Sequence, residues 1–149
     1  MEGAAAALGI PKAYGSDEGL LAARQVDATY NPLPNQLHVP GSLKAAEAGK
    51  HVLCEKPLSL TVAEARQLLV VRDRAKVTIG EAFMVRTHPQ WLRVRELVRS
   101  GRVGQLRAAT GLFSYFNTNT KNIRNIPASA GRAGMDYGVY PLTPTRARP

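Results

Sequence analysis

Glu55, Lys56 and Pro57 are the strongest candidates for chemistry in this sequence. They follow the apolar run Val52-Leu53-Cys54, which is typical of a short buried strand. Because a proline fixes its own φ and restricts the residue before it, a lysine at this position is held stiffly. In open α/β sheets, ligands bind outside the carboxyl ends of the strands. The pattern predicts an ammonium at the edge of a ligand site, but a surface Glu-Lys pair closing a strand would read the same way.

A proline-rich loop precedes this strand and carries further polar candidates. Residues 26–30 read as a strand, and the run from Asn31 to Asn35 that follows contains two prolines, which exclude helix and ladder pairing. Residues 37–48 then form an alanine-rich helical pattern that closes at Gly49, a natural residue after a helix end.

Helical and strand patterns alternate through the first 84 residues. Before the segments already named, we expect a helix over 4–10, a short strand over 12–15 and a helix over 17–23 capped by Ser16. After them, we expect a helix from the Thr61-Glu64 capping box to about Arg74, and a strand over 77–84. This alternation is expected of a parallel, doubly wound α/β sheet.

The pattern changes after Met84. A helix with Pro89 near its first position is expected to end at Ser100-Gly101, and Gln105 to Phe116 alternates as a β-strand does. Residues 117–134 look irregular, and the proline-rich tail over 141–149 is expected to be disordered.

Composition limits the class of protein. The chain has 149 residues and one cysteine, so it has neither an internal disulfide nor a multi-cysteine metal site, and we expect no metal. The single cysteine suits a reducing cytoplasm, and no signal peptide or membrane-spanning run is visible.

The net charge of +9 arises entirely from residues 86–149. Attraction to an anionic partner is one interpretation, and a solvated basic face is the other. Since no nucleic-acid-binding motif accompanies the charge, a nucleic-acid partner is not expected; salt-sensitive retention on DNA would be its test.

Several motifs together resemble the glucose–fructose oxidoreductase/inositol dehydrogenase (Gfo/Idh/MocA) family. The likeness covers roughly residues 8–127, with a weaker echo to Tyr140. It is carried by Tyr30 to His38, Ala45 to Pro57, Glu81 to Arg86, His88-Pro89 and Ser100 to Gly104. The resemblance implies an incomplete Rossmann-type sheet over 1–84, which would be a partial NAD(P)-binding domain. Residues 85–149 would then begin an α+β domain for substrate binding or oligomerisation.

The resemblance also implies an activity, namely hydride transfer between NAD or NADP and a sugar-like or cyclic alcohol. Lys56 would be the catalytic lysine, hydrogen-bonded to the reacting hydroxyl. Asp136 and Tyr140 resemble the family's Asp-x-x-x-His/Tyr pair, in which the tyrosine donates a proton and the aspartate orients the substrate. An unstructured tail is the alternative for that pair.

The same resemblance implies the cofactor contacts. Glu55 and Lys56 would contact the nicotinamide ribose, and Arg86 would lie near the nicotinamide. The residues that would line the cofactor cleft are Asn31, Pro32, Leu33, Asn35 and His38. Each has an ordinary interpretation as well: Asn35 could cap a helix, His38 could lie on a helix face, and Arg86 could be a solvated charge.

The sequence lacks the family's phosphate-binding G-x-G-x-x-G. We therefore expect a fragment with residues 26–30 as a bare sheet edge, marginal stability, and weak or no binding of NADH or NADPH in a calorimetric titration. The alternative is a non-catalytic remnant that serves as an interaction module, and DNA upstream of Met1 would distinguish the two. The oligomeric state, including a homo-oligomer, stays open.

Overall fold

The computed structural model describes residues 2–114, 116–119, 122 and 138–140. At the centre of the described part lies a parallel three-stranded sheet in the order β1 (Ala28–Asn31), β2 (His51–Glu55), β3 (Ile79–Ala82). The register places Tyr30 opposite Leu53, and Leu53 opposite Gly80. The predicted parallel α/β sheet is confirmed, and β1 forms one edge of the described sheet, as expected.

Five helices and two 3-10 turns accompany the sheet between residues 2 and 99, and residues 138–140 are also helical. The helices are α1 (Glu2–Ala7), α2 (Asp17–Leu21), α3 (His38–Glu47), α4 (Val62–Ala75) and α5 (Pro89–Arg99), and the 3-10 turns span Asn35–Leu37 and Met84–Arg86. The order of helices and strands from α2 to β3 is the one that the sequence pattern predicts.

The helix ends follow the local sequence signals. Ser16 accepts a hydrogen bond from the backbone of Gly19 and caps α2. Thr61 and Glu64 form the predicted capping box of α4, with each side chain accepting a bond from the other residue's backbone N–H. The chain leaves α3 through Gly49, whose φ of +75° an L side chain rarely adopts.

One face of the sheet carries the core. Ala45 of α3 packs there against Val52 and Cys54 of β2. A second cluster joins Ala46 of α3 to Val71 of α4 and to Val77. These small and branched side chains let two helices lie close to a short sheet.

The opposite face of the sheet is open in the described part of the chain. Tyr30 on β1 is 54% exposed and Leu53 on β2 is 49% exposed. They are neighbours on the same face because the register pairs them. Parallel sheets usually have both faces covered, so this exposed pair is unusual.

Two predicted strands are wrong. Residues 12–15 lie before α2 without regular structure, because four residues between a proline and a helix cap pair with none of the described strands. The alternating segment from 105 to 116 forms no strand over its described residues, where Leu112 is 91% and Phe116 89% exposed. Alternation predicts a strand only where a partner and a core lie beside it.

The expectations for Asp136 and for the tail over 141–149 lie outside the described residues. None of the helices that the structure describes has the length and apolar character needed to cross a bilayer.

Candidate functional site

Lys56 lies directly beyond the carboxyl end of β2, at the start of a turn that also contains Pro57 and Leu58. The Lys56-Pro57 peptide bond is cis. The backbone N–H of Lys56 donates to Oε2 of Glu55 at 3.1 Å, and that of Leu58 donates to Oε1 of Glu81 on β3 at 3.0 Å. Two carboxylates from adjacent strands therefore fix the backbone on either side of the proline.

Glu55 is itself held by Tyr30 on the neighbouring strand. The Tyr30 hydroxyl donates to Oε1 of Glu55 at 2.5 Å. The strand register explains why Tyr30 can contact Glu55. Tyr30 lies opposite Leu53, and Leu53 and Glu55 share a face of β2. The hydrogen bond to Glu55 raises the pKa of Tyr30, since the carboxylate favours the protonated phenol.

His38 joins the loop after β1 to the turn after β2. Its side chain is fully enclosed, with Nδ1 2.7 Å from the carbonyl oxygen of Pro57 and Nε2 2.7 Å from that of Leu33. A carbonyl oxygen only accepts, so a neutral ring donates to one of the two and a doubly protonated ring donates to both. A doubly protonated imidazole therefore hydrogen bonds to both the proline-rich loop and the residue after Lys56, whereas a neutral one hydrogen bonds to one of them and packs against the other.

Asn31 is buried and fixes the same loop from inside. Its Nδ2 donates to the carbonyl oxygen of His38 at 3.0 Å and to Oγ of Ser42 at 3.2 Å. Its Oδ1 accepts from the backbone N–H of Leu33 at 3.2 Å. These bonds to the chain itself make Asn31 a support of the loop.

The Cys54 thiol lies in the core below this loop and is completely buried. Burial raises the pKa of Cys54, so it remains an unreactive thiol at neutral pH. It belongs to the packing of the sheet, and the candidate site contains no nucleophilic cysteine among the described residues.

The ammonium of Lys56 lies over the ring of Tyr140. Its Nζ is 5.2 Å from the ring centroid, within the range of a cation–π contact. The Tyr140 ring also meets the ring of Phe83 edge-on, at 5.2 Å and 72°, and stacks with that of Phe113, at 5.3 Å and 12°. Lys56 and Tyr140, both candidates from the sequence, are thus brought together by the fold.

The other candidates are dispersed around this site. Pro32 and Leu33 lie on the surface of the loop after β1, and Arg86 is exposed in the 3-10 turn after β3. Asn35 is the first residue of a 3-10 turn whose N-cap position is Pro34, and the N-cap position of α3 is Leu37, so Asn35 occupies neither N-cap position.

An open cleft of about 120 Å³ lies beside the carboxyl end of β1, between α2 and α3. Leu33 and Lys44 line it, and Lys56 does not. Small-molecule sites usually measure several hundred Å³, so this cleft would take only part of a dinucleotide. In the described part of the chain, no three His, Cys, Asp or Glu side chains cluster as metal ligands would.

Three contacts at the site were missed by the sequence interpretation, those of Tyr30, Glu81 and Phe113. The contacts of Tyr30 and Glu81 could be predicted once the strand register is known, because both residues lie on the strands that flank β2. Phe113 has no such signal, since its segment belongs to no strand or helix.

The fold and the site define an α/β dinucleotide-binding architecture, and comparison with known proteins supplies the family. The Gfo/Idh/MocA model, described as an oxidoreductase family with an NAD-binding Rossmann fold, matches residues 1–83. The chain belongs to this family, as the motifs around Lys56 predict.

Curated relatives give the same assignment. An oxidoreductase of Rhizobium meliloti is 48% identical over 96% of this chain and 43% of its own length. A D-xylose 1-dehydrogenase (NADP+) of Haloferax volcanii is 44% identical over 93% of this chain and 43% of its own length. The chain therefore spans less than half the length of these relatives.

A solved structure agrees in fold. A 3-ketoreductase from Actinomadura kijaniata, in complex with NADP and TDP-benzene, is 33% identical and has a TM-score of 0.85 over 95% of this chain and 43% of that one. The NAD-binding family description and this NADP complex support NAD or NADP as the cofactor class.

Proposed function

We propose that this chain carries the reaction centre of an NAD(P)-dependent oxidoreductase acting on a sugar-like alcohol or ketone, with Lys56 and Tyr140 as the residues that handle the reacting oxygen. The observation that supports this most directly is the approach of the Lys56 Nζ to the Tyr140 ring, at 5.2 Å, between residues far apart in sequence. The fold builds such a pair at the carboxyl ends of the strands, where α/β sheets bind ligands.

The fit to the cofactor is partial. The turn beyond β2 offers the Glu55 carboxylate and the Lys56 ammonium to a nicotinamide ribose, and the loop of Pro32 and Leu33 offers an exposed wall beside the cleft at β1. The sequence contains no glycine-rich phosphate loop. We therefore propose that this chain binds the nicotinamide end weakly, with Asn31 and His38 supporting the loop and Arg86 reaching the site from its surface.

Lys56 and Tyr140 would act on the substrate oxygen. The nicotinamide, when bound, supplies or accepts the hydride. The Lys56 ammonium donates a hydrogen bond to the reacting oxygen and stabilises the negative charge that develops there. The Tyr140 hydroxyl would donate the proton to the reacting oxygen in reduction and become a phenolate, that phenolate would take the alcohol proton in oxidation, and Asp136 would orient the substrate.

The substrate class is taken from the relatives. The Haloferax volcanii relative is a D-xylose 1-dehydrogenase, and the Actinomadura kijaniata structure is a 3-ketoreductase. Both names denote a carbonyl–alcohol conversion, and the first names a sugar. We propose a sugar or a polyol-like ring for this chain.

Turnover by the 149-residue chain tests the proposal. With D-xylose and NADP+ at millimolar concentration, we expect slow production of NADPH that falls by at least about a hundredfold in Lys56→Met and partly recovers in Lys56→Arg. Lys12→Met is the matched control, because Lys12 also lies over a tyrosine ring, that of Tyr14, at 5.0 Å. Turnover that survives Lys56→Met would refute the assignment.

A second candidate function is a non-catalytic interaction module. The open sheet face with the exposed pair Tyr30 and Leu53 favours it, because contiguous exposed apolar side chains mark interaction surfaces. Absence of turnover and of nicotinamide binding, together with concentration-dependent sedimentation that Leu53→Ser abolishes, would support this candidate over the enzyme.

A further inference from the structure

Phe113 is the least exposed of the large apolar side chains in the described residues from 106 to 116. Leu106, Leu112 and Phe116 are each more than half exposed, whereas Phe113 is 49% exposed. Its segment belongs to no helix or strand in the described residues, so no backbone pairing explains its position. One of its contacts is with an aromatic ring of the candidate site.

That ring is the one of Tyr140. The two rings are nearly parallel, at 12°, with centroids 5.3 Å apart, which is an offset stack. Phe83 meets the same ring edge-on at 5.2 Å. Because Phe83 is buried directly beyond β3, it forms a fixed wall of the site, and Phe113 adds a contact from a separate segment of the chain.

The cation–π contact depends on the orientation of the Tyr140 ring. An ammonium is attracted to the face of a ring and not to its edge, so rotation of the ring would weaken the contact to Lys56 Nζ. Stacking with Phe113 restricts that rotation, since a tilted ring would lose the parallel contact.

We propose that Phe113 is a positioning residue that keeps the Tyr140 ring facing the Lys56 ammonium. The proposal rests on the proposed function of the Lys56–Tyr140 pair, and it assigns a role to a residue outside the family's motifs in this sequence. Phe113 touches neither substrate nor cofactor in this scheme and acts through Tyr140.

The test is the ring-current shift of the lysine methyl resonances after reductive ¹³C-methylation of the whole chain, which preserves the charge. Lys56→Arg assigns the Lys56 signal, and Tyr140→Leu defines its position without the ring. We expect Phe113→Ala and Phe113→Leu to move the signal at least halfway to the Tyr140→Leu position. Phe113→Tyr, which retains a stackable ring, should leave it near wild type.

Two matched controls accompany these variants. Phe116→Ala removes a phenyl ring from the same segment at an 89% exposed position and should leave the Lys56 signal unchanged. The signal of Lys12, which lies over Tyr14, should stay constant in every Phe113 variant. An unmoved Lys56 signal in Phe113→Leu, or an equal movement in Phe116→Ala, would overturn the proposal.

Kinetics separate this proposal from the proposed function. If the chain turns over substrate, Phe113→Leu should lower kcat by about tenfold with little change in the KM for NADP+. If the chain shows no turnover, the proposed function fails, but the movement of the Lys56 resonance still decides whether Phe113 positions the Tyr140 ring.

Discussion

The hydroxyl of Tyr30 donates a 2.5 Å hydrogen bond to the carboxylate of Glu55 on the adjacent strand. This bond connects the edge strand to the residue that precedes Lys56, and the other oxygen of the same carboxylate accepts from the Lys56 backbone. The edge of the sheet therefore contributes directly to the geometry of the candidate site.

Tyr30→Phe should make the melting temperature fall less steeply as the pH rises into the alkaline range. Because Glu55 raises the pKa of Tyr30, the folded chain keeps the phenol proton at a pH where the unfolded chain has lost it. The contribution of this bond is then complete below the unfolded value of about 10 and disappears as the pH rises through the folded value. Melting temperatures measured between about pH 8 and pH 11 should fall more steeply for wild type than for Tyr30→Phe.

The control for this change is Tyr14→Phe. The Tyr14 hydroxyl accepts a bond from the amide of Gln25, so this variant removes a tyrosine hydroxyl but keeps the bond between Tyr30 and Glu55, and it should leave the wild-type slope. Equal slopes for wild type and Tyr30→Phe would contradict the role assigned to Glu55.

His38→Ala should be strongly destabilising. The change removes an enclosed ring whose nitrogens lie 2.7 Å from the carbonyl oxygens of Leu33 and Pro57, and with it the hydrogen bonding that the ring donates there. We expect the free energy of unfolding to fall by about 2–4 kcal/mol, measured from the urea midpoint at a constant slope. Gln36→Ala, at an exposed neighbouring position, should change it by less than about 0.5 kcal/mol.

Thr61→Ala should remove one half of the capping box of α4. The expected loss is about 1 kcal/mol, because the N–H of Glu64 loses the Thr61 oxygen. The two halves are reciprocal, so adding Glu64→Ala to Thr61→Ala should cost less than Glu64→Ala alone. Thermal unfolding measures both, and the exposed Thr110→Ala serves as the unaffected reference.

Two helical glycines should respond differently to alanine. A Cβ at Gly41 would lie 3.0 Å from Nδ2 of Asn31, which hydrogen bonds already hold in place. At Gly19, the nearest atom would be Oγ of Ser16 at an ordinary 3.5 Å.

Gly19→Ala should therefore stabilise the chain by about 0.5–1 kcal/mol through helix propensity. Gly41→Ala should give no gain or a loss, because moving Asn31 away from the new Cβ would disturb the hydrogen bonds of its Nδ2. Denaturant unfolding of both variants measures this difference. An equal increase in the free energy of unfolding at the two positions would show that the loop around Asn31 moves to accept the new Cβ.

The elements that the sequence predicts correctly are those specified by neighbouring residues. The caps at Ser16 and Thr61 and the helix exit at Gly49 depend on local hydrogen bonds and φ values, and all three are confirmed. The strand before Lys56 is confirmed for a similar reason, since its apolar run needs only a core beneath it. Local rules also place the lysine at the end of a strand.

The errors concern features that depend on distant partners. The alternating segment from 105 to 116 is no strand in its described residues, and the strands that the structure describes all belong to the sheet of β1, β2 and β3. The contacts of Tyr30 with Glu55 and of Phe113 with Tyr140 could not be predicted without the register or the path of the chain.

Three elements hold the turn that contains Lys56. These are β1 through the bond from Tyr30 to Glu55, α3 through His38, and β3 through Glu81. Separation of any one of these elements would release the backbone around the lysine. The rate at which an amine-directed reagent labels Lys56 should therefore report whether β1, α3 and β3 are packed together around this turn.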